Sequence, residues 1–312
     1  MAYNEQSLIS KLHGFANLNP QSSCPLFTRF PAEIRNHVFC LALLSYDDLT
    51  RPYPLTAHYR RPGYCYHQLI CTALLQTCRR IYCETHDLPL AQNEHVFWCT
   101  RHPGPPVGRT PRTAATQNTQ AASALRVGRF FRRLTPEQRR AVGTVHVFAT
   151  VDWLEAQLPA MCRAPEVQAR RIRVTIRHAD WRWAPGARRD GLDVAPRCGC
   201  ELGRVRGLER LEIDVEAQAR YEDKLRATAE AMSRWRFHLP GARVLTTGGC
   251  VAARMQYESR LDHRLRYNPA VEVWSCRCVP GPDGARFKYV MVTLAWKAKY
   301  EVGSISLSRQ LD

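Results

Sequence analysis

The longest unbroken apolar run in this 312-residue chain is the seven residues from Val38 to Leu44. A helix that spans a bilayer needs roughly 20. The opening residues, MAYNEQSLISKLHG, mix charge and polarity and lack the apolar core of a secretory signal. These two absences predict an intracellular protein of cytoplasm or nucleus that does not partner a membrane. Catalytic signatures are missing as well. There is no GxxxxGK followed by Ser or Thr, no GxGxxG after a strand, no GxSxG and no HExxH. The eleven histidines, such as His146 and His178, share no acid–base spacing. Glycines gather only at Thr246-Thr247-Gly248-Gly249-Cys250, as a turn would have them. The chain therefore reads as a protein without enzymatic activity or cofactor.

Lysine is scarce, at five of the 45 basic residues, although the formal charge is +17. Residues 1–100 are nearly neutral, with eight basic against seven acidic side chains. The excess lies beyond them, in Arg126, Arg129, Arg132, Arg133, Arg139 and Arg140, and again in Arg163, Arg170, Arg171, Arg173 and Arg177. Such charge attracts nucleic acid. No helix-turn-helix, zinc-finger or RNA-binding aromatic motif accompanies it, so a solvated arginine-rich surface is the expected reading.

Thirteen cysteines, an odd number scattered among apolar neighbours, do not form a disulfide framework and are expected to be reduced core residues. Two CxC pairs, Cys198 with Cys200 and Cys276 with Cys278, would supply four thiolates to a zinc ion if the fold joined them. The same spacing in a strand simply places both sulfurs on one face, as a core would ask. No metal is therefore assigned.

At 45% apolar residues the chain is globular, and it divides by composition. Residues 1–25 read as a flexible arm and 26–100 as a compact block with two helical patterns. Residues 101–124, RHPGPPVGRTPRTAATQNTQAASA, have almost no large apolar side chain and read as a flexible linker or loop. From 125 to 312 strand and helix patterns alternate. GTVHVFATV (143–151), RIRVTIRHADW (171–181) and GLERLEIDV (207–215) read as strands, with ARVLTT, AVEVWSC and FKYVMVTLAW after them. RIRVTIRHADW alternates basic with apolar residues, as a half-buried strand does. Trp181 and Trp183 would share a face there, a candidate binding patch if exposed. Residues 216–237 carry a helical stripe of Tyr221, Leu225, Ala229, Met232 and Trp235. The fold class is α+β, a small helical module followed by an α/β region with a mixed sheet, with GLERLEIDV lending a leucine-rich-repeat-like flavour.

The stretch RFPAEIRNHVFCLALL (29–44) opens the block. Pro31 suits the first helical position and Glu33 complements the positive end of the helix dipole. Ile34, Val38, Leu41 and Ala42 form one stripe. A second helix is expected from about Leu69, with Ile70, Ala73, Leu74, Thr77, Cys78 and Ile81 on its apolar side. The connection between them, DDLTRPYPLTAHYRRPGYCYHQ, is long and aromatic.

FTRFPAEIRNHVFCLAL followed by LLQTCRRIYCETHDLPLAQNEHVFW resembles the F-box-like N-terminal module of a large group of fungal proteins. The resemblance continues through RRLTPEQRRAVGTVHVF, VTIRHADWRW, GLERLEIDVE and YVMVTLAW, and so covers most of the chain from about 26 to 298. It implies a small helical domain that binds Skp1 and an adaptor that brings a substrate, held by the C-terminal region, to a cullin ubiquitin ligase. The positions carried over are Phe30, Pro31, Glu33, Ile34 and Val38, with Cys78 and Arg79 matching a later Cys-Arg pair. The chain departs from the family pattern in its long connection and in Tyr82, where tryptophan is common. Ile34 is expected to face the partner and Leu41 the module's interior. The alternative reading is a basic nucleic-acid-associated protein without enzymatic activity.

A segment that cannot bury apolar surface cannot offset its own ordering entropy. Limited trypsin digestion is therefore expected to cut first after Arg109, Arg112 or Arg126. A first cut inside 143–151 or 207–215 would contradict this division.

Overall fold

The computed structural model describes residues 18–57, 59–99, 120–181, 194, 201–249, 252–268 and 273–300. A short helix, α1 (Pro25–Thr28), leads into α2 (Ala32–Ala42). The hairpin β1 (Tyr46–Pro52) and β2 (Tyr66–Leu69) follows, then α3 (Arg79–Thr85), α4 (Leu88–Gln92) and β3 (Glu94–Cys99). Helices α5 (Gln120–Arg133) and α6 (Pro136–Ala141) precede β4 (Thr144–Ala149), and α7 (Val151–Arg163) precedes β5 (Arg171–Ile176). Next come β6 (Arg210–Gln218), α8 (Glu222–Ser233), β7 (Phe237–Leu239) and β8 (Arg243–Thr246). The last strands are β9 (Ala253–Ser259), β10 (Leu261–Asn268), β11 (Val273–Pro280) and β12 (Phe287–Tyr300).

Local chemistry sets many of these boundaries. Thr135 caps α6 in a reciprocal box with Gln138, and the Thr150 hydroxyl accepts from the Trp153 amide to start α7. Acidic residues stand in the first turns of α6, α7 and α8, where the helix dipole favours them. Positive φ at Gly248 and Gly249 makes the turn expected after β8.

One mixed sheet organises the chain. Strands β3, β4, β5 and β6 run parallel in chain order, and β12 adds antiparallel to β6. The far edge of β12 pairs first with β9 and then with β8, which pairs with β7. Side chains alternate between the two faces. One face presents Val145, Val147, Ile172, Val174, Leu211, Ile213 and Val215 to helices α5, α7 and α8, which cover it with Phe131, Trp153, Leu158, Leu225 and Met232. This is an ordinary hydrophobic core.

The opposite face is charged and is buried too. Glu212, Asp214, Glu216 and Gln218 of β6 are each at most 5% exposed. Arg171 and Arg210 pair with Glu212. Arg173 Nε lies 2.7 Å from Asp214 Oδ2, and the hydroxyls of Thr175 and Thr293 also donate to Asp214, at 2.8 and 2.6 Å. Arg177 donates twice to Asp180. The cover comes from the connection between β1 and β2. Its Arg61 pairs with Glu216 at 2.7 Å and lies over the Phe148 ring. Its Tyr64 packs edge-on against Phe148, which stacks on Trp98 at 4.0 Å.

Several expectations change. Segment 26–100 is not a helical module alone: it holds a hairpin, it supplies β3 to the main sheet, and its long connection seals that sheet. No helix starts near Leu69. Cys78, with extended backbone at φ −156° and ψ 161°, interrupts the pattern, leaving a 3-10 turn at Ala73–Gln76 and starting α3 at Arg79. The helix expected at 216–237 is shorter because β6 continues to Gln218. The arginines of β5, Arg171 and Arg173, pair with the buried carboxylates Glu212 and Asp214 while their own side chains stay partly exposed. Trp181 is 5% exposed, its indole donating to the Glu216 carbonyl, and forms no surface patch. Trp183 lies outside the described residues. Most of the linker 101–124 lies outside them as well, but residues 120–124 and Arg126 belong to α5, which removes Arg126 from the cleavage sites. No helix among the described residues is long and apolar enough to cross a membrane.

Acid is expected to destabilise this fold. Burial lowers the His178 pKa well below its ordinary value, and lowers that of His95. Burial, offset in part by Glu216, brings His263 to about 4. Above pH 6.5 these imidazoles are neutral whether folded or unfolded. Below it the unfolded chain binds protons that the fold excludes, so stability falls. For His263 the loss is complete near pH 4 and amounts to about 3 kcal/mol. Burial pushes Glu94 up, but His146 and Arg173 override it and hold the carboxyl at about 2, extending the loss from pH 4.5 downward. Asp180, raised by burial against the pull of Arg177, acts in the opposite direction. Melting temperatures measured from pH 7.5 to pH 4 should fall steadily; a flat profile would contradict the buried neutral histidines.

Candidate docking surface

Successive residues of a helix turn by about 100°, so positions three and four apart share a side. Helix α2 carries apolar side chains on two opposite sides. Phe39 and Leu43, 1% and 0% exposed, face the protein. Ile34, Val38 and Leu41 face away and are 48%, 46% and 61% exposed. Phe30, one turn earlier, is 48% exposed.

Specific contacts hold this orientation. The Arg35 guanidinium donates to the Phe30 carbonyl at 2.9 Å, pairs with Glu84 of α3 and lies over the Phe27 ring. Arg80 of α3 covers the same ring at 3.9 Å and pairs with the same carboxylate. At the other end of α2, Asn93 donates to the Leu43 carbonyl at 2.9 Å and accepts from the Ser45 amide at 2.6 Å. These bonds satisfy backbone groups that a helix end leaves open. The hairpin continues the apolar surface: Tyr46 stands opposite Leu69 in the register, and both are exposed, as are Leu44, Leu49 and Ile70. Ten of the twelve exposed large hydrophobic residues in the described chain fall between 30 and 70. That concentration is the pattern of an interaction surface rather than of scattered solvent-facing residues.

All five residues expected to bind a partner, Phe30, Pro31, Glu33, Ile34 and Val38, are exposed. Pro31 is the residue before the first helical one, a position earlier than expected. Leu41, expected in the interior, is instead on the outer side, because Phe39 and Leu43 supply the core contacts of α2. Cys78 caps α3, its sulfur accepting from the Ile81 amide, and Arg79 is exposed. Cys198 and Cys200 lie outside the described residues. Cys276 and Cys278 occur on β11, in register with Leu265 and His263 of β10. Among the described residues no group of His, Cys, Asp and Glu side chains is placed to hold a metal ion.

Sequence reasoning missed the polar cluster under the β1–β2 connection. His146, 0% exposed, meets the Tyr64 hydroxyl at 2.7 Å and Glu94 at 3.0 Å through Nδ1, and Thr175 at 2.8 Å through Nε2. Tyr64 donates to Glu94, and Thr175 donates to Asp214. A second group joins His263, Tyr289, Gln218 and Asp262. The first group fastens the connection to the sheet through Tyr64, and the second ties β10 to β6 and β12. The signal available in the sequence was the opposition of RIRVTIR to RLEIDVEAQ, strands of complementary charge.

Comparison of the chain with protein-family models, with curated proteins and with solved structures finds no match.

The exposed stripe makes a stability prediction. Ile34→Asp and Leu41→Asp should each change unfolding free energy by about 0.5 kcal/mol or less, as surface substitutions do. Phe39→Asp buries an unpaired carboxylate and should cost several kcal/mol. Urea denaturation of the three variants tests the assignment, and a large loss in Leu41→Asp would return that residue to the core.

Proposed function

We propose that the chain is a protein–protein adaptor and that the outer side of α2 docks a Skp1-like protein, as the F-box-like resemblance of residues 26–100 implies. One observation carries this reading: α2 has two opposite apolar sides, and the protein's own core uses only one. An apolar side chain left in water forgoes about 1.5–3 kcal/mol of burial free energy, which a partner recovers on binding. Phe30, Ile34, Val38 and Leu41 would provide the central contacts, with Pro31 and Glu33 setting the start of the helix. The long connection that departs from the family pattern has a separate duty, which is to seal the charged face of the sheet. The β-rich C-terminal region, whose parallel strands β4 to β6 follow in chain order as those of a leucine-rich repeat do, would present the substrate protein to the ligase.

Direct binding between the purified chain and purified Skp1 tests the reading. The unaltered protein should bind, and Ile34→Asp or Leu41→Asp should weaken binding at least tenfold with the melting temperature unchanged, since interface energy concentrates in central residues. Absence of binding by the unaltered chain, or full binding by both variants, would overturn it.

A further inference from the structure

A cavity of about 410 Å³ opens at the end of the sheet where β4, β5 and β6 begin. Three arginines line it, each from a different segment: Arg140 at the end of α6, Arg170 just before β5, and Arg206 in the approach to β6. The buried side chains of Val142 and Ala169 contribute apolar surface, and Glu209 is the single carboxylate among the lining residues.

Backbone bonds fix the main chain from which these arginines extend, and all three residues are exposed at the rim of the cavity. The Gly143 carbonyl accepts from the amides of both Arg170 and Arg171, and the Arg170 carbonyl accepts from those of Glu209 and Arg210. Gln168 bridges to Arg206, and Gly207, at φ +78°, turns the chain into β6. Gly143 has to be glycine, because a Cβ there would stand 2.0 Å from the Ala91 carbonyl oxygen. The guanidinia are not consumed by the fold. Arg140 pairs with solvent-exposed Glu137, a weak contact, and Arg206 gives one donor to the Pro165 carbonyl. Arg170 and Arg206 make no ion pair among the described residues, in contrast to Arg171 and Arg173 of β5.

We infer that this cavity binds a small hydroxylated phosphomonoester, such as a sugar phosphate. Three guanidinia and one carboxylate leave a net charge of +2 for a dianionic phosphate, and guanidinium forks match phosphate oxygens. Glu209 can accept from a ligand hydroxyl, and the cavity volume lies within the range of small-molecule sites. Nucleic acid is the lesser fit, since its backbone calls for an extended basic track rather than a single concavity.

Isothermal titration of the full chain at 0.15 M salt tests the inference, with ribose 5-phosphate, ribose and a single-stranded RNA 20-mer as probes. Ribose 5-phosphate should bind with one-to-one stoichiometry, and ribose should not bind. Arg170→Ala and Arg206→Ala should each weaken binding at least tenfold, and Glu209→Gln should remove the preference for ribose 5-phosphate over inorganic phosphate. Arg133→Ala, an exposed arginine that does not line the cavity, should leave binding unchanged. Circular dichroism melting establishes that each variant is folded. Absence of saturable binding, equal binding by the folded Arg170→Ala and Arg206→Ala variants, or RNA binding that is tighter and displaces the sugar phosphate would overturn the inference.

Discussion

A ladder of ion pairs between β5 and β6, built on buried carboxylates, is the constraint on which the rest of this structure depends. Three carboxylates on consecutive same-face positions of one strand, Glu212, Asp214 and Glu216, are withdrawn from water. Each must therefore be met by a cation or a hydrogen-bond donor, because an unpaired buried charge costs several kcal/mol. Arg171, Arg173 and Arg210 come from the sheet itself, and two threonines complete the shell of Asp214. Glu216 lies beyond their reach, and its cation, Arg61, comes from 155 residues away in the chain.

That long-range pair explains the placement of the N-terminal segment. Arg61 and Tyr64 can reach Glu216 and His146 only if the connection between β1 and β2 lies across the charged face. With β3 joined to β4 at the sheet edge, residues 46–99 are then fixed on two sides. Asn93, immediately before β3, holds the C-terminal end of α2. The outward stripe of Ile34, Val38 and Leu41 is thus displayed from a helix tied to the sheet through a short chain of specific bonds. A docking surface benefits from such support, because a helix already ordered loses less entropy when a partner binds.

The two sheet faces also divide the energetics. Helices α5, α7 and α8 bury an apolar face, which supplies hydrophobic stabilisation. The charged face is less effective per buried group, since desolvation offsets much of the Coulombic gain, but it penalises incorrect register strongly. A slip of β5 by one residue would set Ile172, Val174 and Ile176 against carboxylates. The same face makes the fold responsive to acid, because burial lowers the pKa of His178 and His263.

Period-two alternation located β5 and β6, strand-forming composition located β4, β8 and β12, and the three-and-four spacing of Leu225, Ala229 and Met232 marked the apolar side of α8. Those patterns are local, so the chain declares them by itself. The sequence also showed that α2 has an apolar stripe at Ile34, Val38 and Leu41. It could not show which of two stripes faces inward, because Phe39 and Leu43 keep the same helical spacing. Contacts from α3 and Asn93, distant in sequence, made that choice. Likewise the alternation of RIRVTIR specifies a strand with a basic side, while its burial follows from a loop more than a hundred residues earlier that brings one arginine and one tyrosine to the same face. Spacing along the chain encodes local geometry, whereas burial of charge depends on which distant groups arrive to neutralise it, and only the tertiary structure decides that.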